Sequence, residues 1–119
     1  AAAQVEQWIS AINAYYYGPI VPDYILRYAL AGEGGPDRAA VDEALPALRE
    51  RLSILNEKIA GPWLAGDTLT AADLFAGPLL LGLTFFPEGK EIIGSNPKLG
   101  RLVGALAETP TFMSAAPPQ

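Results

Sequence analysis

Apolar residues recur at helical spacing along nearly the whole chain, and no stretch alternates with period two. The pattern predicts an all-α helical bundle of about five to six helices without strands. One long, interrupted helix is expected from residue 2 to about residue 30. Val5, Trp8, Ile9, Ile12 and Tyr16 make its apolar stripe, while Gln4, Glu6, Gln7 and Asn13 fall away from it. Gly18, Pro19 and Pro22 then disturb the run. Pro19 has no amide hydrogen and its ring crowds the carbonyl of Tyr15, so a kink or break is expected there. Tyr24, Ile25 and Tyr28 resume the stripe. Gly-Glu-Gly-Gly-Pro-Asp at 32–37 reads as a loop.

The second helix is expected from about Asp37 to Ile59. Val41, Leu45, Leu48, Leu52, Leu55 and Ile59 follow spacings of 4, 3, 4, 3 and 4, which is one apolar face. Asp37 suits the helix start, both as a cap and as a charge on the positive end of the dipole. Pro46 lies inside this helix and costs about 3 kcal/mol unless the helix bends. The stripe continues in phase across it. A tight connection follows at 60–69. Then Thr70-Ala71-Ala72-Asp73 fits a capping box. The Thr70 hydroxyl is expected to accept from the Asp73 amide, and the Asp73 carboxylate from the Thr70 amide. Leu69 and Leu74 flank the box as a hydrophobic staple.

From Leu74 to about Phe85 the chain is apolar all round, so that helix is expected to be buried on every side. It is too short to span a bilayer and is interrupted by Gly77, Pro78 and Gly82. A short helix is expected from Pro87 to Gly94. Asn96 then caps a last helix with Pro97 in its first turn and Leu99, Leu102, Val103 and Leu106 on its apolar face. Thr109-Pro110 ends it, a last turn falls near Phe112 and Met113, and Pro117-Pro118 forms the tail.

Composition narrows the chemistry. The chain has 119 residues, half of them apolar and 18% charged, below the usual quarter or so. It is one domain, 1–119, with enough apolar residues to build a core, which argues against intrinsic disorder. Eight basic residues face thirteen acidic ones, net −5. That balance argues against nucleic acid and against an anionic membrane surface. There is no Cys, so disulfides and thiolate catalysis are excluded. There is no His either, which removes the common metal ligand and general base. No metal is expected. The chain opens on Ala1 rather than Met, which suggests a fragment, and shows no signal-peptide pattern. A mean hydropathy of +0.21 fits either a Leu- and Ala-rich core or an apolar surface that meets another domain.

The run Trp63-Leu64-Ala65-Gly66-Asp67-Thr68-Leu69-Thr70-Ala71-Ala72-Asp73-Leu74 resembles the helix-start motif of the C-terminal helical domain of the glutathione transferase family. Gln4-Val5-Glu6-Gln7-Trp8-Ile9 is similar to the opening of that domain's first helix. Pro87-Glu88-Gly89 resembles a stretch of some bacterial members. Asn96-Pro97-Lys98-Leu99-Gly100-Arg101 and Thr109-Pro110-Thr111 resemble the entry to a late helix and the terminal turn. The resemblance covers nearly the whole chain. It implies a soluble, cytoplasmic, homodimeric detoxifying enzyme that conjugates glutathione to small electrophiles. In that family a thioredoxin-like N-terminal domain holds most of the glutathione site and activates the thiol, and this segment is expected to lack that domain. No catalytic residue is expected within this segment, and the segment alone is expected to be inactive. The alternative is a related scaffold domain of the kind found in translation elongation factor 1 gamma, which assembles proteins without turnover.

The resemblance also implies that the first helix helps to line the co-substrate pocket. Tyr15, Tyr16 and Tyr17 point about 100° apart on a helix, so not all of them face the core. Tyr16 and Tyr17 are the candidates for the pocket. Tyr24 joins Tyr17 on one face if the kink preserves phase, and Asn13 lies one turn earlier. The competing reading makes these core tyrosines with satisfied hydroxyls. Thr70 and Asp73 read as a capping box that determines the fold, since no base completes a Thr-Asp catalytic couple. Glu88, Lys90 and Glu91 read as a solvated helix face, and Trp8 and Trp63 as anchors in the core and loop.

Overall fold

The computed structural model describes residues 2–109, and they form an all-α domain. The first long helix is continuous. It comprises α1 (Ala2–Ala11), a π segment (Ile12–Tyr16), α2 (Tyr17–Ile20), a second π segment (Val21–Ile25) and α3 (Leu26–Ala29). Its buried residues explain this alternation. Ile12, Tyr16, Ile20 and Tyr24 are all enclosed in the core and lie four residues apart. In an α-helix each four-residue step overshoots the turn by about 40°, so three steps would swing Tyr24 far from Ile12. A π turn, closed by a bond across five residues, holds more residues and undershoots. Mixing the two keeps the four side chains in line. Tyr17 N–H donates to the Ile12 carbonyl and Leu26 N–H to the Val21 carbonyl, closing the two π turns. Pro19, which was expected to kink or break the helix, sits in the short α2 between them, and the helix passes through.

Helix α4 (Arg38–Lys58) is capped as expected: the amides of Ala39 and Ala40 donate to Asp37 Oδ1 at 3.0 and 3.4 Å. Val41, Leu48, Leu52 and Leu55 are buried on its core face, and Pro46 lies exposed inside it. Asn56 is buried on the same helix and accepts from Leu99 N–H at 2.9 Å. It thereby satisfies an amide at the start of the last helix that has no intrahelical partner.

The connection into α5 (Ala71–Leu83) is tied to the cap. Trp63 and Gly66 pair across an isolated antiparallel bridge, and no strand occurs among the described residues. The capping box is formed. Thr70 N–H donates to Asp73 Oδ2 at 2.9 Å, and Ala72 N–H donates to Thr70 Oγ1 at 3.2 Å. Asp73 also accepts from Leu64 N–H at 2.9 Å through Oδ1, so one buried carboxylate joins the cap to the preceding turn.

Helix α5 departs from expectation on its outer side. Ala72, Asp73, Ala76, Gly77, Leu80 and Leu83 are buried, but Ala71, Leu74, Phe75 and Pro78 are open to solvent. Leu74 is 41% exposed and Phe75 38%. Hydrophobicity all round predicts burial all round only when elements pack on both sides. Here α1, α2, the second π segment and α7 contact α5.

The last two helices are α6 (Pro87–Ser95) and α7 (Pro97–Ala107). Leu99, Leu102, Val103 and Leu106 are buried as expected. The Asn96 side chain does not cap α7. It turns back, and Nδ2 donates to the Ile92 carbonyl at 2.8 Å. Trp8 and Trp63 are half-buried against the core. The turn expected near Phe112 and Met113 and the Pro117-Pro118 tail lie outside the described residues.

Candidate co-substrate pocket and its supporting clasp

The structure divides the four tyrosine and asparagine candidates into two sets. Tyr16 and Tyr24 point into the core, and Tyr24 is completely enclosed. Asn13 and Tyr17 point outward one turn apart, with Tyr17 46% exposed. The face shared by Tyr17 and Tyr24 therefore does not form. The second π segment absorbs the extra residue and brings Tyr24 into line with Ile20 instead. Of the four candidates, Tyr17 and Asn13 are the two that are open to solvent. Tyr16 borders a cavity of about 10 Å³ with Ile12, Ile20, Leu55, Ala76, Leu79 and Leu80, and reaches the edge of an open groove of about 370 Å³ beside Trp8, Tyr15 and Lys58. Burial pushes its phenol above the ordinary range, and the Arg51 charge partly offsets this. Arg51 itself lies over the Tyr15 ring, 5.7 Å from its centre.

The densest polar centre lies where the expected solvated face was. Glu88 is not solvated: its side chain is only 16% exposed. Tyr24 and Tyr28 both donate to Glu88 Oε1, at 2.9 and 2.7 Å. Arg38 Nη2 pairs with Glu88 Oε2 at 3.0 Å, and Arg38 Nη1 donates to the Tyr28 hydroxyl at 2.9 Å. Gly89 N–H donates to the Tyr24 hydroxyl at 2.9 Å. The Phe86 ring stacks on Tyr28 at 4.8 Å and meets Tyr24 edge-on. Pro87-Glu88-Gly89 thus has a physical role. Proline starts α6, glutamate accepts the two tyrosines, and a side chain on Gly89 would collide with the Leu83 carbonyl. Sequence reading missed this clasp because Glu88 and Gly89 lie 50 to 65 residues from their partners.

The clasp is built for holding rather than for proton transfer. Burial opposes ionisation of Glu88, but the hydrogen bonds from Tyr28, Tyr24 and Arg38 outweigh it and hold the carboxyl at about 2. Burial chiefly, with the adjacent carboxylate, drives the Tyr24 phenol well above the ordinary range. At neutral pH neither group is poised as an acid or a base. Glu91, from the same expected face, pairs with Arg49 through two bonds of 2.9 Å. Thr70 is occupied by the cap, and Asp73 by the cap and the Leu64 amide of the preceding turn.

Residues 9–110 match the model of the glutathione S-transferase C-terminal domain. The chain belongs to the glutathione transferase family, as its C-terminal domain. Solved structures of that family superpose on it closely. Glutathione transferase F7 from Populus trichocarpa aligns at TM-score 0.84 with 24% identity, over 95% of this chain and 54% of that one. Glutathione S-transferase I bound with lactoylglutathione aligns at 0.83 with 27% identity, over 97% and 56%. Glutathione S-transferase I from maize, in complex with an atrazine glutathione conjugate, aligns at 0.80 with 26% identity, over 95% and 54%. No curated protein matches the chain. The chain spans about half the length of these solved relatives. Among the described residues no cluster of acidic side chains is grouped to hold a metal, and no helix is long and apolar enough to cross a membrane.

Proposed function

We propose that the chain, as a single domain 1–119, is the C-terminal half of a glutathione transferase. It supplies a wall of the co-substrate pocket and packs against a thioredoxin-like N-terminal domain that binds glutathione and activates its thiol. The observation that carries this reading is the open apolar face of α5, Leu74, Phe75 and Pro78, on a helix otherwise buried in the core. A contiguous apolar face of that kind marks a surface that meets another body. The reaction is attack of the glutathione thiolate on an electrophilic carbon, with this half positioning the electrophile. Tyr17 and Asn13 are the pocket residues proposed here, while Tyr16 and Tyr24 shape the wall from behind. The segment alone is inactive, and the assembled enzyme is a cytoplasmic homodimer that detoxifies electrophiles.

The test is turnover by the two-domain parent. Glutathione-dependent conjugation of a model aryl halide is expected, and Tyr17→Ala is expected to raise KM for the halide more than for glutathione. Equal effects on both would remove Tyr17 from the pocket. Absence of glutathione-dependent turnover would favour a scaffold domain instead.

A further inference from the structure

The second π segment, Val21–Ile25, is held from outside by a single polar centre. π geometry is rare and its hydrogen bonds are weaker than those of an α-helix, so it persists only where surrounding contacts demand it. Tyr24 is the only buried residue of this segment. Its hydroxyl donates to Glu88 Oε1 and accepts from Gly89 N–H, both at 2.9 Å. Tyr28, four residues on, donates to the same Glu88 oxygen at 2.7 Å. Two hydroxyls that meet on one oxygen fix the helix register, since a slip of one residue would turn both by about 100°. Arg38 fixes Glu88 from the start of α4. Next to Tyr24, Ile25 Cδ1 rests 3.3 Å from where a Gly82 side chain would begin, so α5 packs closely against this segment.

We infer that Glu88 is a positioning residue that locks the register of the first long helix and, through it, the placing of Tyr17 toward the co-substrate. The second half of this inference rests on the transferase reading above. The mechanism is geometric. Tyr17 opens α2, only four residues long and bounded by π segments on both sides. If Val21–Ile25 relaxes to an α-helix, the residue that the π turn absorbed is released. α2 then turns relative to Tyr24 and Tyr28, and Tyr17 leaves its present direction.

Crystal structures of Glu88→Ala, Glu88→Gln and Tyr24→Phe in the full chain test the lock. In Glu88→Ala and Tyr24→Phe, Leu26 N–H is expected to move from the Val21 carbonyl to the Pro22 carbonyl. Glu88→Gln keeps an acceptor oxygen and is expected to keep the Val21 bond. An unchanged Val21–Leu26 bond in both Glu88→Ala and Tyr24→Phe overturns the inference. If Glu88→Ala does not fold, Tyr24→Phe alone decides by the same bond. In the two-domain enzyme, Glu88→Ala is expected to raise KM for the electrophile on the order of tenfold while KM for glutathione holds, with Glu88→Gln restoring it. Equal rises in both constants, or a shifted register without any rise, overturn the link to Tyr17. If the unmutated parent shows no turnover, the pocket half of the inference falls with the transferase reading, and the structures still decide the lock.

Discussion

The Asp73 carboxylate is completely buried, yet no arginine or lysine meets it. Leu64 N–H and Thr70 N–H do, each at 2.9 Å. Removing it would leave two backbone amides without partners, each worth about 1–3 kcal/mol when buried. Asp73→Ala is therefore expected to cost about 2–6 kcal/mol, against about 1 kcal/mol for Thr70→Ala, which frees one amide at a helix end. Urea unfolding of the two variants checks this, and a Thr70 variant as weak as the Asp73 variant would refute it. Glu88 gives a prediction in pH. Its carboxyl titrates near 4.5 when unfolded and at about 2 in the clasp. The unfolded chain thus takes up the proton first as the pH falls. The clasp's contribution is complete above about 4.5 and is lost as the pH falls through that window toward 2. Glu91, whose carboxyl is also lowered, by the Arg49 bonds, titrates in both proteins and cancels from the comparison. The stability difference between the native chain and Glu88→Gln is expected to shrink between pH 5 and pH 3, read from urea midpoints. A constant difference would mean that Glu88 is not held ionised.

Elements were legible in proportion to how far their spacing departs from ambiguity. The 4, 3, 4, 3, 4 stripe of α4 belongs to a straight α-helix and nothing else, and the box at Thr70 marked the start of α5 by chemistry that acts within four residues. The first helix was legible as a helix but not in its phase. Over one turn, steps of four are compatible with α geometry, and only the full series Ile12, Tyr16, Ile20, Tyr24 demands π turns. That is why Tyr24 was expected beside Tyr17 and is found in the core. The clasp was illegible because Arg38 and Glu88 are ordinary surface residue types, and nothing links them to the stripe tyrosines Tyr24 and Tyr28 until the fold brings three elements together. Pro46 offers a prediction at this scale. It sits exposed in the interior of the 21-residue α4, where no side chain is gained from it. It withholds an amide from the helix ladder. Pro46→Ala is expected to stabilise the chain by about 1–3 kcal/mol, raising Tm by several degrees as each kcal/mol is worth about 4–8 °C at this size. An unchanged or lower Tm in a thermal scan would mean that the amide withheld at Pro46 costs α4 nothing.

At the scale of the whole molecule the question is what covers α5. A helix with Leu74, Phe75 and Pro78 open on one side and Ala76, Leu80 and Leu83 buried on the other has apolar surface in two directions, and this chain uses one. The chain also amounts to about half of each solved relative. If the second direction belongs to the thioredoxin-like domain, the two settings respond differently to a charge placed there. In the 119-residue chain alone, Phe75 is already 38% exposed, so a lysine there keeps its charge in water, and Phe75→Lys is expected to cost only about 1 kcal/mol from the covered part of the ring, while lowering the binding of an apolar dye. In the two-domain protein the same change buries a charge where a phenyl ring had packed, and it forfeits about 1.5–3 kcal/mol of apolar burial before the charge is counted. It is therefore expected to lower the unfolding midpoint markedly and to loosen the domains to proteolysis at the linker. Leu74→Glu is expected to behave alike, since both side chains share the face. Urea unfolding of each variant in both lengths of protein separates the cases. Equal small effects in both lengths would show that the α5 face stays exposed in the assembled protein, and the pairing of domains would then have to run through another surface.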